Sequence, residues 1–519
     1  MLQINELTIS HKKDLRVIVE NLDLVLNYGD KAVIIGEEGN GKSTLMKWIY
    51  NPKLIEDYAE WRGSISGRQE RMAYLAQELS AEDQKKTVYE FFSETEEFFG
   101  QTPKELGRYA KDFGVATDFF YREQMMESLS GGEKIKAQLI RILMGEPTVL
   151  LLDEPSNDID IGTLRMLEKL ICDWKYIVLF ISHDECLIEN TANTVIHMEQ
   201  VRRKTVSRYT VAAMPYRQYV TERQKRIDYQ RQQAQSDNRQ KKLRDEKYAR
   251  IYQRVEHELA TVSRGAPAVA KNLKDKMHTV KAMGRRFERE DENMTAMPEY
   301  EEAIFFKLDG GGGAFPAGKK VIDFELPRLT VCGEGEPRLL ACNIKLVVKG
   351  PEKICIVGRN GAGKTTLIKR IAEELLGRKD IRAEYMPQNY EDLLDMDSTP
   401  VEYLDNSGDK ERRTLIRTYL GALKYTSEEM SHPIRELSGG QKAKILLLHM
   451  SLSGADVLIL DEPTRNFSPL SGPVIRRILK DFPGAIISIS HDRKYIGEVC
   501  DRVYELTERG LTLKEKEVF

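Results

Sequence analysis

The chain has 519 residues, of which 41% are hydrophobic, and its formal net charge at pH 7 is −3. Its mean hydropathy is −0.47, and no apolar run approaches the roughly 18 residues of a membrane span, which excludes an integral membrane protein. At roughly 150 residues per domain, the length predicts two or three domains. The cysteines are scattered without CxxC spacing: Cys172, Cys186, Cys332, Cys342, Cys355 and Cys500. This pattern argues against a zinc site or a disulfide scaffold and is typical of a reducing compartment.

The N-terminal segment MLQINELTISHKK alternates apolar and polar residues as a β-strand does. It lacks the apolar core of a signal peptide. We therefore expect a cytoplasmic protein and no secretory leader.

A glycine-rich segment follows the apolar strand pattern of residues 31–35 and precedes a helical pattern from residue 45. Strand, glycine loop, Lys-Ser and helix in this order predict a P-loop, whose backbone N–H groups bind phosphates at a helix N-terminus. Lys42 would reach the β- and γ-phosphates of ATP, and Ser43 would hold Mg²⁺. The predicted ATP-binding residues of this loop are Gly36, Glu37, Glu38, Gly39, Asn40, Gly41, Lys42, Ser43 and Thr44.

Polar residues also follow three further apolar strand patterns of the first half. Gln77 is a candidate to contact the metal ion or the attacking water. Asp153 is placed to hold Mg²⁺, and the adjacent Glu154 to polarise the attacking water as general base. His183 is a candidate to contact the γ-phosphate, although a single histidine at such a strand end is more often structural.

The motif Leu-Ser-Gly-Gly at residues 129–132 opens a helical pattern. Its serine hydroxyl and backbone N–H groups are donors for an anion. The alternative is a plain helix N-cap. In the functional interpretation, Ser130, Gly131 and Gly132 close over ATP held by another domain.

The centre of the chain is basic. Residues 201–290 contain 24 Lys and Arg against 10 Asp and Glu, so the remainder carries a net charge of −17. Such an island indicates either a polyanion-binding segment or a solvated charged helix. Residues 214–262 are nearly free of Gly and Pro, which predicts a first helix of some 45 residues, roughly 70 Å long.

Apolar residues in this centre are spaced 4, 3, 4, 3 on both sides of a Gly/Pro-containing break at residues 263–268. The two stripes are Tyr248, Tyr252, Val255, Leu259 and Val262, and Leu273, Met277, Val280, Gly284 and Phe287. The pattern predicts an antiparallel helical hairpin with its tip at about residues 263–270. The candidate contact residues at the tip are Arg264, Gly265, Ala266, Pro267, Lys271 and Lys274.

The second half repeats the motifs of the first in the same order. From the leucine of the LSGG motif to the strand-end aspartate is 24 residues in both halves, and from the glutamate to the histidine is 29. Coincidence does not give this agreement, so we predict a tandem ATPase that uses ATP and Mg²⁺. The predicted ATP-binding residues are Gly358, Arg359, Asn360, Gly361, Ala362, Gly363, Lys364, Thr365, Thr366, Gln388, Ser438, Gly439 and Gly440. The metal candidates are Thr365, Gln388 and Asp461, and the catalytic candidates are Glu462 and His491.

On these motifs both halves resemble ABC-type ATPase domains. The resemblance implies that the halves face each other head to tail and enclose two ATP molecules. One site would pair Lys42, Asp153, Glu154 and His183 with Ser438 and Gly440. The other would pair Lys364, Asp461, Glu462 and His491 with Ser130 and Gly132.

Two features depart from that family pattern. After the glutamate the family usually has an aspartate in a short loop; the first half has Asp160, but residues 464–469 contain none. No aromatic residue upstream of either P-loop suggests itself for stacking on adenine. We hypothesise that the two sites differ in turnover and that base selectivity is loose.

The basic hairpin between the halves, with KAMGRRFERE on its returning arm, resembles the linker of ABC-F ATPases. That resemblance implies binding to the ribosome at the tRNA exit site, with large-subunit rRNA and P-site tRNA as partners, and neither DNA nor a membrane subunit. The segment DEPTRNFSPLSGPVIR is similar to the antibiotic-resistance branch, whose members protect translation from lincosamides, pleuromutilins or streptogramins A. A general translation factor and the tandem ATPase subunit of an importer are the alternatives.

The predicted fold is α/β: tandem ABC-type P-loop ATPase domains joined by a long antiparallel helical hairpin. We expect the first domain at residues 1–198, the linker at 199–300 and the second domain at 301–519. Because the tip contains no aromatic residue, we expect any drug displacement to act indirectly, through tRNA or rRNA.

Overall fold

Buried parallel strands form the centre of each half of the molecule. The computed structural model describes the chain except residues 68–69, 158, 202–204, 262–266, 293, 299–307, 309–315, 317, 332–337, 406–407 and 517–519. By its contacts the chain divides into one unit of Met1–Tyr216 with Glu301–Phe519 and another of Arg217–Tyr300. The first unit holds both halves, and the second holds the segment between them.

The first half alternates strands and helices, as α/β folds do. Its strands are β1 (Leu2–His11), β2 (Val17–Leu26), β3 (Lys31–Ile35), β4 (Ala59–Ser66), β5 (Met72–Leu75), β6 (Val149–Asp153), β7 (Ile177–Ile181), β8 (Thr194–Val201) and β9 (Val206–Ala212). Its α-helices are α1 (Lys42–Tyr50), α2 (Ala81–Gln84), α3 (Val88–Ser93), α4 (Glu96–Phe99), α5 (Pro103–Phe113), α6 (Gly131–Met144), α7 (Ile161–Asp173) and α8 (Glu185–Thr191). Short 3₁₀ helices lie at Pro52–Ile55, Phe119–Tyr121 and Met126–Ser128.

The strand order of the central sheet is β5-β6-β7-β3-β8-β9, parallel except for the β8–β9 pair. Every residue of β3, β6 and β7 is buried, which explains their continuous apolar runs, because parallel strands are covered on both faces. The carboxyl ends of neighbouring parallel strands meet at one edge, and this places the P-loop, Asp153 and His183 together. A separate antiparallel sheet, β2-β1-β4, packs into the same core.

The second half repeats this architecture. Its strands are β10 (Lys320–Val331), β11 (Arg338–Lys349), β12 (Lys353–Val357), β13 (Ala383–Met386), β14 (Val457–Asp461), β15 (Ala485–Ile489), β16 (Arg502–Thr507) and β17 (Gly510–Lys514). Its α-helices are α11 (Lys364–Leu376), α12 (Pro400–Leu404), α13 (Lys410–Ala422), α14 (Gly439–Ser453), α15 (Gly472–Asp481) and α16 (Arg493–Val499), with 3₁₀ turns at Tyr390–Asp392 and Ile434–Glu436. The sheet order β13-β14-β15-β12-β16-β17 matches that of the first half strand for strand. Helices α9 and α10 form the hairpin of the other unit and are called h1 and h2.

The segment between the halves is an antiparallel helical hairpin, as predicted. Helix h1 spans Tyr216–Thr261 and helix h2 spans Pro267–Glu292. The predicted stripes face each other: Val255, Met277 and Val280 form a small buried core. Closer to the start of h1, the Phe287 ring lies edge-on to Tyr248, with centroids 5.8 Å apart.

The predicted division at residues 198/199 and 300/301 stays a proposal. Strand β9 pairs with β8 along its length, so the sheet of the first half includes residues that we had assigned to the linker. Among the described residues, no helix is long and apolar enough to cross a membrane.

The hairpin core generates a first prediction. Val255→Asp places a carboxylate in the apolar contact with Met277 and Val280, and we expect a local loss of about 3 kcal/mol. Hydrogen–deuterium exchange should show faster exchange in residues 248–261 and 270–287. Ile251→Asp is the control, because Ile251 lies on the same helix and is 45% exposed. Equal exchange in the two variants would contradict the packing.

Candidate functional site

The first P-loop is shaped by glycines that no other residue can replace. Gly36 has φ of 151°, and a Cβ there would overlap the carbonyl oxygen of Met198. Gly41 has φ of 84°, and a Cβ there would overlap the Ile18 side chain. Helix α1 begins at Lys42, whose Nζ donates to the carbonyl oxygens of Gly36 at 2.9 Å and Glu37 at 3.0 Å. The lysine ammonium therefore lies inside the loop, where phosphate oxygens bind.

Oxygen ligands suited to Mg²⁺ gather beside this loop. The Ser43 hydroxyl donates to Oδ1 of Asp153 at 3.0 Å, and the Tyr74 hydroxyl donates to Oδ2 at 3.0 Å. Burial raises the pKa of Asp153, and these two hydrogen bonds only partly offset it. A hydroxyl and a carboxylate are the ligands that Mg²⁺ takes beside phosphate oxygens. The donor set therefore fits a magnesium ion shared with ATP.

Glu154 and His183 form a charged pair in the first site. His183 Nε2 lies 3.0 Å from Oε1 of Glu154. Its Nδ1 lies 2.9 Å from the carbonyl oxygen of Phe467, which belongs to the second half. The carbonyl oxygen is an acceptor and so is the ionised carboxylate, and this arrangement favours a proton on both ring nitrogens.

The pKa values of this pair follow the same geometry. Burial alone would lower the pKa of His183, but the adjacent Glu154 carboxylate outweighs it, and the pKa is raised. Burial opposes ionisation of Glu154 too, yet the charge of His183 keeps the pKa of Glu154 below its ordinary value. Glu154 is thus an ionised carboxylate, the state in which it accepts a proton.

The second P-loop has the same backbone. Gly358 has φ of 154°, and Lys364 Nζ donates to the carbonyl oxygens of Gly358 and Arg359 at 2.9 and 3.0 Å. Burial raises the pKa of Asp461 to about 6, although Thr365 donates a hydrogen bond to it. Within the described chain, Oδ2 of Asp461 has no hydrogen-bond partner. A buried carboxylate oxygen without a donor is the arrangement that a cation completes.

Glu462 and His491 differ from their counterparts in the first half. Nε2 of His491 lies 3.8 Å from Oε1 of Glu462. Burial, reinforced by the charge of Asp461, raises the pKa of Glu462 to about 8. Burial and the nearby Lys364 ammonium lower the pKa of His491 to about 4. At neutral pH this pair is therefore a protonated carboxyl beside a neutral imidazole.

Each P-loop faces residues of the opposite half. A cavity of about 710 Å³ surrounds the second loop, and the first half contributes Ser130, Gly131, Asn157 and His183 to its walls. The second half contributes Asn360, Gly361, Gly363, Lys364, Thr365, Thr366, Gln388, Asp461, Glu462 and His491. A cavity of about 390 Å³ surrounds the first loop, with Arg465 and Asn466 from the second half in its walls. From the first half its walls include Glu38, Gly39, Gly41, Lys42, Ser43, Thr44, Gln77, Glu154 and His183.

The LSGG serines act as helix N-caps in both halves. Ser130 caps α6 in a capping box with Glu133, and Ser438 caps α14 in a capping box with Gln441. The capping interpretation and the anion-binding one are compatible, because the cap leaves the next N–H groups of the helix end exposed to a ligand. At the first site, the N–H group of Gly440 already donates to a side chain of the first half.

Glu37 and Glu38 of the first P-loop contact the second half through their side chains. The Gly440 N–H donates to Oε2 of Glu38 at 2.5 Å. Oε1 of Glu37 accepts from the hydroxyls of Ser468 at 2.6 Å and Ser471 at 2.7 Å. Lys444 Nζ lies 3.3 Å from Oε2 of Glu37.

The charge of Glu37 is fixed by this environment. Burial would raise its pKa, but the Lys444 ammonium and the two serine hydroxyls outweigh burial and hold the pKa at about 2. Ser468 occupies the position that Asp160 has in the first half. The missing aspartate is therefore replaced by a carboxylate from the opposite P-loop. Asp160 itself caps α7, accepting from the Thr163 N–H at 2.8 Å.

Ion pairs also join the halves beyond the P-loops. The buried Arg476 guanidinium contacts Glu185 Oε1 at 2.9 Å, and Lys494 Nζ lies 2.8 Å from Glu185 Oε2. Arg493 contacts Glu168 and Asp184. The acidic groups come from α7, α8 and the residue before α8, and the basic groups from α15 and α16.

The structure thus brings most of the predicted site residues together, and their individual roles remain predictions. The buried Asn40 side chain turns away from the cavity and donates to the Met198 carbonyl oxygen at 3.0 Å. Ser438 lies at the cap and not in the wall of the smaller cavity. In the linker, Arg264, Gly265 and Ala266 lie outside the described residues. Pro267 begins h2, and Lys271 and Lys274 are exposed on it.

Sequence reasoning missed several residues of the site. Tyr74 was visible only as part of the strand before Gln77, and nothing marked its contact with Asp153. His11, Arg16 and Tyr58 line the smaller cavity, and no motif marks them in the sequence, because they come from separate segments that only the fold brings together. The Phe467 carbonyl has no sequence signal at all, because it is a backbone atom.

The opposite electrostatics of Glu154 and Glu462 generate a second prediction. The folded pKa of Glu462, about 8, exceeds its ordinary value of 4.5. The folded state therefore binds the extra proton between these values, and stability falls as pH rises through them, by about 1.4 kcal/mol per unit at most. Glu462→Gln removes this loss, so the variant should gain stability over the parent as pH rises from about 5 to about 8.

Glu154→Gln should have the opposite effect. The lowered pKa of Glu154 contributes stability above its ordinary value, so the variant loses the pair with His183 and about 2 kcal/mol at neutral pH. Thermal unfolding of the full chain without nucleotide, in a metal chelator and across this pH range, measures both variants. Shifts of the same sign in both would show that the two sites are electrostatically equivalent.

Comparisons with known proteins agree with this architecture. The ABC transporter family model matches residues 19–157 and 342–465, once in each half and together about half of the chain. The ribosome protection protein VmlR of Bacillus subtilis (strain 168) is 26% identical over 524 residues, covering 97% of this chain and 86% of its own. ABC transporter F family member 5 of Arabidopsis thaliana is 26% identical over 396 residues, covering 74% of this chain and 52% of its own. The fold is similar to that of the archaeal ribosome recycling factor aABCE1, solved with ribosomal stalk protein aP1, at a TM-score of 0.58 and 17% identity, covering 98% and 89% of the chains.

The predicted fold class is confirmed: ABC-type nucleotide-binding domains in tandem, with a long helical insertion between them. The P-loops, the strand-end carboxylates and the matched family model together establish the enzyme class. The chain belongs to the ABC transporter family, as an ATP-hydrolysing P-loop ATPase with the domain present in both halves.

Proposed function

We propose that this chain is an ABC-F ATPase of the cytoplasm that binds the bacterial ribosome at the tRNA exit site in its ATP-bound state. There it protects translation from antibiotics of the peptidyl-transferase centre, of lincosamide, pleuromutilin or streptogramin A type. ATP hydrolysis drives its release. Its partners in this proposal are large-subunit rRNA and P-site tRNA, with no DNA and no membrane subunit.

The observation that carries the proposal is the charge of the hairpin. Cations on its distal part are exposed and, within the described residues, make no ion pair: Lys247, Arg250, Arg254, Lys271, Lys274, Lys276, Lys281 and Arg285. By contrast, Lys241 and Arg244, nearer the start of h1, are paired with Asp291. Free cations on a helical rod are suited to phosphate backbones, which RNA-binding proteins recognise by shape and charge.

A charged spacer would not need this distribution. If the hairpin only connected the two ATPase halves, its charges could form ion pairs along its whole length. Arg244 and Asp291 form such a pair at 2.5 Å. Within the described residues the unpaired cations are most numerous toward the turn, although Lys225 and Arg226 near the start of h1 are also exposed and make no ion pair. This favours a polyanionic partner for that end of the hairpin.

The joined halves supply the nucleotide dependence. Each cavity takes walls from both halves, so binding of ATP changes the energy of the contact between them. In the proposal, Asp153 and Asp461 would hold Mg²⁺ with Ser43 and Thr365. Glu154 acts as general base, and Glu462 does so once it has released the proton that burial and Asp461 favour on it. Mg²⁺, when bound, supplies neutralisation of the phosphate charge.

The names of the relatives support a function on the ribosome. Protection from a particular class of antibiotic is the more specific part of the proposal. VmlR is named a ribosome protection protein, and the relative from Arabidopsis is named a member of the F family. The segment 461–476 provides the resemblance to the resistance branch. Displacement of a drug would act through tRNA or rRNA, since the tip sequence from 263 to 270 has no aromatic side chain.

The deciding experiment is translation of a reporter in a purified bacterial system stalled by a lincosamide or a pleuromutilin. The wild-type protein with ATP should restore synthesis. The Glu154→Gln/Glu462→Gln variant, which retains ATP, should bind ribosomes and fail to turn over. Ribosome binding without rescue of translation would identify a general translation factor. Absence of ribosome binding would contradict the proposal and favour the ATPase subunit of an importer.

The hairpin cations generate a separate prediction. Lys271→Ala/Lys274→Ala should weaken ribosome binding by the trapped variant, and each lost phosphate contact should reduce the slope of log affinity against log salt by about 0.7–0.9. Lys225→Ala/Arg226→Ala removes the same charge from the exposed surface near the start of h1 and is the matched control. Affinity and salt slope measured by pelleting with ribosomes should change in the first variant alone. Equal losses in both would assign the effect to overall charge and not to the distal hairpin.

A further inference from the structure

The two P-loops differ in charge at the positions that follow their first glycine. The first has Glu37 and Glu38 where the second has Arg359 and Asn360. The backbone of the two loops is otherwise alike, with matching positive φ values at Gly36 and Gly358. A difference confined to side chains points to a difference in what the loops bind.

Glu38 places its carboxylate at the end of a helix from the other half. Oε2 lies 2.5 Å from the N–H of Gly440, the second residue of α14. A Cβ built on either Gly439 or Gly440 would lie 3.4 Å from the same oxygen. The first-turn N–H groups of a helix are orphan donors that favour an anion. Here the anion is a side chain of the protein.

The neighbouring residue fixes Glu38 in that position. Glu37 is bound by Ser468, Ser471 and Lys444, all from the second half. Its carboxylate is buried, fully paired and ionised, so its backbone does not move freely. Glu38 follows directly in the chain, so its backbone is anchored beside α14, and its exposed side chain reaches the helix through the Gly440 N–H.

We propose that Glu38 is a specificity-determining residue of the first site: it occupies the anion position of the opposing helix, so that this site favours a nucleoside diphosphate over a triphosphate. The inference rests on the assignment of this loop as a nucleotide site and does not depend on ribosome binding. The second site has Asn360 at the position of Glu38, and we expect it to keep the ordinary preference for the triphosphate.

The physical reason is competition between anions. A P-loop holds the α- and β-phosphates with its own backbone N–H groups and its lysine. A diphosphate needs nothing from the opposing helix and leaves the Glu38–Gly440 bond intact. A third phosphate takes its further donors from that helix, and there it meets a carboxylate that repels it and competes for the same N–H group.

Nucleotide binding by the full chain, in the Lys364→Ala background that leaves only the first site, tests the proposal. Isothermal titration calorimetry with ADP and with the non-hydrolysable triphosphate AMP-PNP gives the dissociation constant of each nucleotide. Glu38→Asn should lower the constant for AMP-PNP about tenfold, the worth of one charged hydrogen bond. The constant for ADP should stay within about twofold, because the loop backbone is unchanged.

The reciprocal variant is the matched control. Asn360→Glu, in a Lys42→Ala background that leaves only the second site, should raise the AMP-PNP constant about tenfold and spare that for ADP. This variant decides the matter where Glu38→Asn fails to fold. A ratio of the two constants that is the same with and without each substitution would overturn the proposal, since a role limited to joining the halves would change both constants together.

Discussion

Each nucleotide site depends on the two halves being held face to face. Neither P-loop has a complete wall within its own half, and the contact is maintained by charges that are buried in it. Arg476 and Glu185 are 3% and 6% exposed, so removal of either would leave the other as an unpaired buried charge. The acidic groups belong to the first half and the basic groups to the second, which fixes one relative orientation.

The two sites differ in the charged groups that surround the P-loop. In the first, Glu154 is ionised through its contact with His183, while Glu38 fills the anion position of the opposing helix. In the second, Asn360 stands at the position of Glu38, and burial together with Asp461 raises the pKa of Glu462 to about 8. The two P-loops therefore have the same backbone conformation and differ in the charged side chains that would surround a bound nucleotide.

Much of this arrangement was predictable from the sequence because parallel strands end at a common edge. The spacing of LSGG, Asp-Glu and His motifs located both sites, and the 4,3 spacing in the centre located the facing surfaces of the hairpin. The protonation of His183 was not predictable, since it depends on the Phe467 carbonyl of the other half. The partners of Glu37 were also not predictable, because Ser468, Ser471 and Lys444 belong to the other half.

Glu37 of the first P-loop supplies the carboxylate that the second half lacks at Ser468, and this makes the two halves non-interchangeable. The Ser468 hydroxyl donates a hydrogen bond to Glu37, whereas the carboxylate of Asp160, the counterpart of Ser468, would repel Glu37. A chain built from two first halves would place Glu37 against an aspartate, and one built from two second halves would place Arg359 against a serine. The contact between the halves therefore depends on the differences between them, and a chain with two copies of either half would not form it.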